Sequence, residues 1–408
     1  MKPDFLRRRF LYQSLTSFGG VILMGGCAAQ KTGLAPRVEA EGPRTALAAP
    51  GADGFSPLGP PDQNQLRLPE GFSSRIVATT GEPVGRTEHT WHAEPDGGAT
   101  FATPSGGWVY VSNAEVVRGG GGVGAIEFDA AGEIVDAYSI LSGTTRNCAG
   151  GPTPWQTWLS CEETRQGRVW ECDPFTKGSE GIPRPAMGVF NHEAAAVDAA
   201  HQQVFLTEDE RDGRLYRFRP ANYPKLDRGV LEVAEILDPA GRGSIQRGES
   251  RRLRWHPVPD PETRRGVPTR EQVRSSTPFN GGEGAWQNAG RIYFATKGDH
   301  RVWELDPESD QIRILYEHAT AAPGKAALRG VDNVFASQTG DILVAEDGGN
   351  FEIVALTPSG QVKPIVQIVN QTNSSEVTGP ALSPDGTRLY FSSQSGPGKT
   401  YEVRGPFV

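Results

Sequence analysis

Past residue 65 apolar residues alternate with polar ones in short recurring runs, and no amphipathic helix of useful length appears. One pattern recurs. "GGWVYVSNAE" is followed by "GAIEFDAAGEIVDAYSI", "WQTWLSCEE" by "RVWECDP", and "QQVFLTEDE" by "RLYRFRP". "GRIYFATKGD" is followed by "RVWELDPESDQIRILYE", "GDILVAEDGG" by "FEIVALTPSGQVKPIVQ", and "TRLYFSSQSG" by "TYEVRG". Each unit reads as an apolar strand with a polar or acidic end, then a return strand closing on a turn. The six units are spaced about 35 to 80 residues apart.

A further strand precedes several units: "FNHEAAAVD", "EGAWQ", "GVDNVFAS" and "GPALSPDG". Antiparallel sheets of about four strands, repeated radially, predict an all-β fold, a β-propeller of six blades with seven as the alternative. A sandwich explains the strands but not their regular recurrence. The early strand Phe72 to Thr80, "FSSRIVATT", is placed to complete the last blade and close the ring. The propeller is expected over residues 66–408.

Composition sharpens this picture. The 408 residues include 51 Gly, 32 Pro and 3 Met, as expected of a turn-rich β chain. The net charge of −8 argues against nucleic acid as the main partner and fits carboxylates gathered around cations. The first 27 residues read as an export signal. Arg7, Arg8 and Arg9 precede an apolar segment too short and glycine-rich for a membrane span. "RRRFL" resembles a twin-arginine signal and "LMGGC" a lipobox, although Met24 is unusual there. The expected location is the periplasm, or the outer membrane with a lipid anchor on Cys27 as the one membrane contact. Residues 28–65 are rich in Ala, Gly and Pro and are expected to form a flexible linker. Three cysteines remain, Cys148, Cys161 and Cys172, an odd number for an oxidising compartment. Either one disulfide leaves a buried thiol over, or a metal holds one thiolate.

The register of the repeat carries the chemistry. The equivalent strand ends on Glu115, on Glu162 and Glu163, on Glu208, Asp209 and Glu210, and on Glu346 and Asp347. Related by rotation, these ends converge on one mouth of the channel. A carboxylate alone is more often a solvated loop residue, but four blades repeating it point to a site. Crowded carboxylates repel one another, and cations are the usual remedy. His192 and Glu193 in "NHEAAA" and Glu283 in "GGEGAW" lie on the same side. Residues Asn147 to Gly151, "NCAGG", are expected to make a tight turn there, putting the sulfur of Cys148 beside the acids. Calcium prefers oxygen ligands, whereas iron accepts thiolate as well. Trp155 and Trp158 are packing candidates. "RGGGGVG" lacks the GK[ST] and helix of a phosphate loop and reads as a hairpin. Between units three and four, residues 240–278 form an insertion with nine arginines. It is either a solvated excursion or a lid drawing anions to a cationic centre.

"RNCAGGPTPWQTWLSCEE", "FNHEAAAVD", "FLTEDERDGRLYRF", "EGAWQNAGRIYFATKGDHRVWELDP" and "LVAEDGG" together resemble the PhoX family of bacterial alkaline phosphatases across nearly the whole exported domain. The resemblance implies a six-bladed propeller, twin-arginine export, and a centre of two irons (Fe3+) and calcium ions (Ca2+) that hydrolyses phosphate monoesters. It assigns the iron-bridging thiolate to Cys148. It assigns carboxylate ligands to Glu163, to Glu208 or Asp209, to Glu283 and to Glu346 or Asp347, with Glu115 where an early acidic ligand is expected; Glu162 is added as a metal candidate from the strand-end register alone. Cys148, Glu163 and Glu283 are the residues expected at the reacting centre. One departure stands out. The family pattern has an arginine two residues before the acid of the fourth approach strand, and here that residue is Gly281. An arginine of the insertion, among Arg251, Arg252 and Arg254, is the expected replacement if the insertion folds over the mouth. The chain is also shorter than typical members.

The leading expectation is a monomeric, metal-dependent phosphoric ester hydrolase acting on a small phosphorylated substrate, delivered by the twin-arginine export machinery. A calcium-dependent lactonase-like hydrolase, which needs no cysteine, is the first alternative. A non-catalytic, metal-stabilised binding protein is the second.

Overall fold

The computed structural model describes residues 51–320, 328–371 and 375–407. The export signal, Cys27 and the first part of the expected linker lie outside these residues. Among the described residues, strands build the whole fold and the only helical pieces are five three-residue 3-10 turns.

The strands form six radially arranged four-stranded units, as the repeat predicted. Blade one is Pro95–Ala102, Trp108–Ala114, Gly121–Phe128 and Ile134–Thr144. Blade two is Asn147–Pro152, Trp158–Glu162, Val169–Cys172 and Ile182–Pro183. Blade three is His192–Asp198, Gln203–Glu208, Leu215–Asn222 and Lys225–Ile236. Blade four is Gly282–Asn288, Arg291–Thr296, Arg301–Asp306 and Gln311–Glu317. Blade five is Val331–Ala336, Ile342–Glu346, Glu352–Leu356 and Val362–Ile368, edged by Leu66–Arg67. Blade six takes Val377–Leu382, Arg388–Ser393 and Lys399–Arg404 from the end of the chain and Ser73–Thr79 from its beginning. The first strands of successive blades neighbour one another around a closed ring.

Burial follows from this geometry. The second strands Trp108–Ala114, Ile342–Glu346 and Arg388–Ser393 are buried along their whole length, because sheets cover both of their faces. The outer strand Ile134–Thr144 instead mixes buried and exposed positions. Apolar clusters fill the wedges between blades, such as that of Phe205, Phe279, Phe294 and Trp303. At the axis the first strands pack backbone to backbone. A Cβ on Gly151 would stand 1.7 Å from the carbonyl oxygen of Ala195, so only glycine fits. This corrects the expected turn at Asn147 to Gly151: the segment is the innermost strand of blade two. Below the mouth the axis narrows to a cavity of about 20 Å³ lined by Gly97, Ala149, Gly284, Asn333 and Gly379.

Two other expectations are corrected here. Residues 51–65 are packed rather than linking. Ala52 is buried and its N–H donates to Asp341 at 2.9 Å. Phe55 meets Phe72 edge to face at 4.9 Å, and Asp62 accepts from the N–H groups of Asn64 and Leu66. The insertion is not a lid carried by Arg251, Arg252 and Arg254. Its strand Ser250–Pro257 pairs with Lys225–Ile236 on one side and Gln311–Glu317 on the other, fusing blades three and four at their outer edges. Arg251 is buried against Glu249 at 2.9 Å, and Arg254 lies 3.6 Å from Glu235. A later part of the insertion does reach the mouth, where Arg270 contacts Glu208, Glu210 and Asp212.

Candidate metal centre

The six blades repeat one local device at the mouth. In each, the first residue of the innermost strand pairs with the last residue of the second: Pro95 with Ala114, Asn147 with Glu162, His192 with Glu208, Gly282 with Thr296, Val331 with Glu346, and Val377 with Ser393. Immediately afterwards the innermost strand bulges. The residue beyond each second strand donates its N–H to the carbonyl just before the innermost strand, from Glu115 to Glu94, Glu163 to Arg146, Asp209 to Asn191, Lys297 to Gly281, Asp347 to Gly330 and Gln394 to Glu376.

Three sets of equivalent positions result. An inner ring holds Asp96, Cys148, Glu193, Glu283, Asp332 and Thr378. A middle ring holds Glu115, Glu163, Asp209, Lys297, Asp347 and Gln394. An outer ring holds Glu94, Arg146, Asn191, Gly281, Gly330 and Glu376.

Strand alternation separates these rings from their sequence neighbours. Glu162, Glu208 and Glu346 end their strands with side chains turned away from the ring. Glu162 accepts from the N–H groups of Thr145 and Arg168 and from the Trp170 indole. Glu208 accepts from Arg214 N–H and the Tyr216 hydroxyl, and Glu346 from the N–H groups of Arg329 and Glu352. These three glutamates clasp the loops at the mouth on either side of their hairpins and stand outside the ligand groups, which corrects their expected role as ligands. His192 is likewise turned away: its Nε2 lies 3.0 Å from the Gly188 carbonyl and its ring stacks on Phe190.

The ring residues form overlapping groups. Ligand atoms lie within 4.8 Å of one another in Asp96, Glu115 and Cys148; in Cys148, Glu163 and Glu193; in Glu193, Glu283 and Asp332; and in Asp332, Asp347 and Glu376. Cys148, Glu115, Glu163, Glu193, Glu283 and Asp347 were singled out in the sequence. Asp209 is not in any of these groups, although its charge acts on Glu163 and Glu283. Asp96, Asp332, Glu376, Arg146 and Lys297 were missed. For Asp96 the available signal was a single acid or thiol followed by small residues at the start of an innermost strand, "PDGG" beside "NCAGG", "HEAAA" and "GEGA".

The electrostatics of the rings call for cations. Burial, and then the neighbouring charges of Asp96 and Glu193, push the Cys148 thiol well above its ordinary range. Burial raises Glu193, and Glu283 and Asp332 raise it further. Burial moves Glu163 up to about 8 despite Arg146 nearby, and Asp332 up to about 6 despite Lys297. Glu193 is 1% exposed and its Oε1 has no hydrogen-bond partner. A buried carboxylate oxygen without a donor is costly unless a cation faces it. A thiol among carboxyls is the donor set of a mixed site: oxygen-only positions suit calcium, and the sulfur suits iron.

Two side chains bring positive charge. Arg146 lies 3.1 Å from Glu115 and 3.5 Å from Glu163, with its side chain 42% exposed at the mouth. Lys297 lies 3.0 Å from Glu283, 3.3 Å from Asp347 and 3.8 Å from Asp332. Burial opposes the Lys297 ammonium, but these carboxylates outweigh burial and hold it charged.

A family model described as alkaline phosphatase PhoX matches residues 129–169 and 165–398. Among solved structures, Pseudomonas fluorescens PhoX, determined in complex with vanadate as a transition-state analogue, superposes with a TM-score of 0.71 at 16% identity. That match covers 86% of this chain and 97% of the other. A gluconolactonase from Xanthomonas campestris has a TM-score of 0.45 at 11% identity over 86% of this chain and 98% of its own. No curated protein sequence matches. The family model covers more than half of the chain, and the chain belongs to the alkaline phosphatase PhoX family.

Proposed function

We propose that this PhoX-family chain hydrolyses phosphate monoesters at a calcium and iron centre held by its inner and middle rings. The observation that carries the reading is the buried, overlapping set of Asp96, Glu115, Cys148, Glu163 and Glu193, with one Glu193 oxygen lacking any donor. Cys148 and its neighbours would hold iron, and the oxygen-only groups would hold calcium. Bound there, the cations supply positive charge that polarises a phosphoryl group and activates water.

The chain's own residues do the rest. The closed axis leaves the mouth as the way in, so an ester approaches the rings from one side. Arg146 supplies the guanidinium that Gly281 does not. Both occupy the outer ring, Arg146 two residues before Cys148 and Gly281 two residues before Glu283. With Glu115 and Glu163 holding cations, the Arg146 N–H groups would be available to hold two phosphoryl oxygens in a fork and orient the ester. Arg270, tied to Glu208 and Glu210, fixes the loop behind Asp209.

The N-terminal pattern supports delivery of the folded, metal-loaded protein by twin-arginine export, with Cys27 as the candidate lipid anchor. The decisive experiment is elemental analysis of protein exported by its own signal, paired with an aryl phosphate assay. Iron with calcium and calcium-stimulated turnover are expected. Metal-free protein without phosphatase activity would overturn the reading.

A further inference from the structure

The rings are not uniformly acidic, and their one lysine stands at a position of the repeat. In four blades the middle-ring residue is an acid: Glu115, Glu163, Asp209 or Asp347. In blade six it is Gln394, which donates to Asp96 at 2.8 Å and to Glu115 at 3.0 Å. In blade four it is Lys297. Its backbone makes the same hydrogen bond as its five counterparts, so the ammonium enters the ring by the route the acids use.

The lysine reaches two of the four ligand groups. Its Nζ faces Glu283 and Asp332 of one group and Asp332 and Asp347 of the next. Calcium sits roughly 2.3–2.6 Å from each of its oxygens. An ammonium at 3.0–3.8 Å from three carboxylate oxygens occupies the space such an ion would need. The side chain is 34% exposed and Glu283 is 1% exposed, so the pair lies at the bottom of the mouth and not on the outer surface.

Building on the metal-centre reading, we propose that Lys297 is a resident cation that takes the place of one divalent ion between blades four and five. On the thiolate side Arg146 reaches Glu115 and Glu163 only from the rim, with its side chain 42% exposed, and the buried Glu193 Oε1 has no donor, so that side depends on metal. The arrangement distinguishes two halves of one centre: one neutralised by exchangeable ions, the other partly by a covalently attached charge.

The test is a count of bound metal per chain, by elemental analysis of calcium-equilibrated and then dialysed protein, for wild type, Lys297→Gln and Lys297→Arg. Lys297→Gln should bind one more divalent ion than wild type, and Lys297→Arg should not. If Lys297→Gln proves too unstable to purify, calcium-dependent melting of freshly refolded protein replaces the count. Its Tm should then rise more steeply with calcium than that of wild type. An unchanged count, or an unchanged calcium dependence, overturns the role of Lys297 while leaving the metal centre intact. A wild type that binds no metal at all overturns the centre itself, and this inference with it.

Discussion

The thiolate side and the ammonium side of the mouth are built on the same backbone. Cys148 and Glu283 both follow the first pair of an innermost strand, and Glu163 and Lys297 both follow the end of a second strand. Their hydrogen-bond frames are superposable parts of one repeat. Their chemistry is not. Around Cys148 the buried groups are acids and a thiol, with Arg146 reaching in from the rim. Around Glu283 a lysine stands among the acids. The repeat therefore fixes where a side chain enters the ring, and the residue type alone decides whether that place needs an ion.

The broadest way to break this contrast is to take the metal away and change pH. Glu163 in the middle ring and Glu346 in a clasp are both raised, chiefly by burial, from about 4.5 to about 8. Their folded pKa values exceed the unfolded ones, so the native state binds more protons between these limits. Stability of the chelated protein should fall as pH rises from about 4.5 to about 8. Readding iron together with calcium should remove the part due to the ring and leave the part due to the clasps. Melting curves across that range, with and without both metals, check this. A chelated protein that is equally stable at both ends would contradict it.

Next in size is Cys148→Ser. It should abolish iron binding and lower kcat/KM on an aryl phosphate by about 100-fold or more, since changes even outside the ligand set cost up to that much. Cys161→Ser should spare iron, because Cys161 is buried between strands and outside the ligand groups. Reversed outcomes for the two cysteines would place the metal elsewhere.

Arg146→Gln should raise KM for a phosphomonoester by roughly 10- to 150-fold, the value of about 1.5–3 kcal/mol for a charged hydrogen-bonding partner. Metal content should stay the same. A loss of metal with unchanged KM would make Arg146 a support for Glu115 and Glu163 instead.

The smallest effect expected is that of Gly281→Arg. The family pattern has an arginine at this position, and restoring it would add a grip only if the backbone here did not need φ > 0. The backbone argues otherwise: Gly281 has φ +68°, and a Cβ would approach Asp209 Oδ1 to 3.3 Å. The substitution should cost about 1 kcal/mol of stability and, on the proposed reading that Arg146 holds the phosphoryl group, gain no activity. Chemical denaturation and steady-state kinetics of the variant decide the point.

How much of this could be read from the sequence differs by level. The six blades, the closing strand and the acidic mouth were legible, because alternation and strand ends are local patterns. The choice within each acidic pair was not. Glu162 and Glu163 are equally acidic, and only the register of the strand end turns one to a loop and the other to the ring. Asp332 was hidden because a lone acid in "GVDNVF" looks like any strand residue until five other blades are laid beside it. Arg251 misled for the opposite reason: a dense run of arginines suggests a surface charge, yet this one is buried against Glu249 and Asp238.

The seam at which the chain's two ends meet has a consequence for biosynthesis. Ser73–Thr79 waits for Lys399–Arg404, a partner made more than three hundred residues later. Across the same seam Gln394 reaches Asp96 and Glu115, and Thr378 reaches the carbonyl of Pro95. Asp96 and Glu115, made early, thus receive these neighbours last. A chain that stops short of this seam has most of the blades but lacks the residues that stand beside Asp96 and Glu115, so on the proposed reading any ion at that corner would be held last.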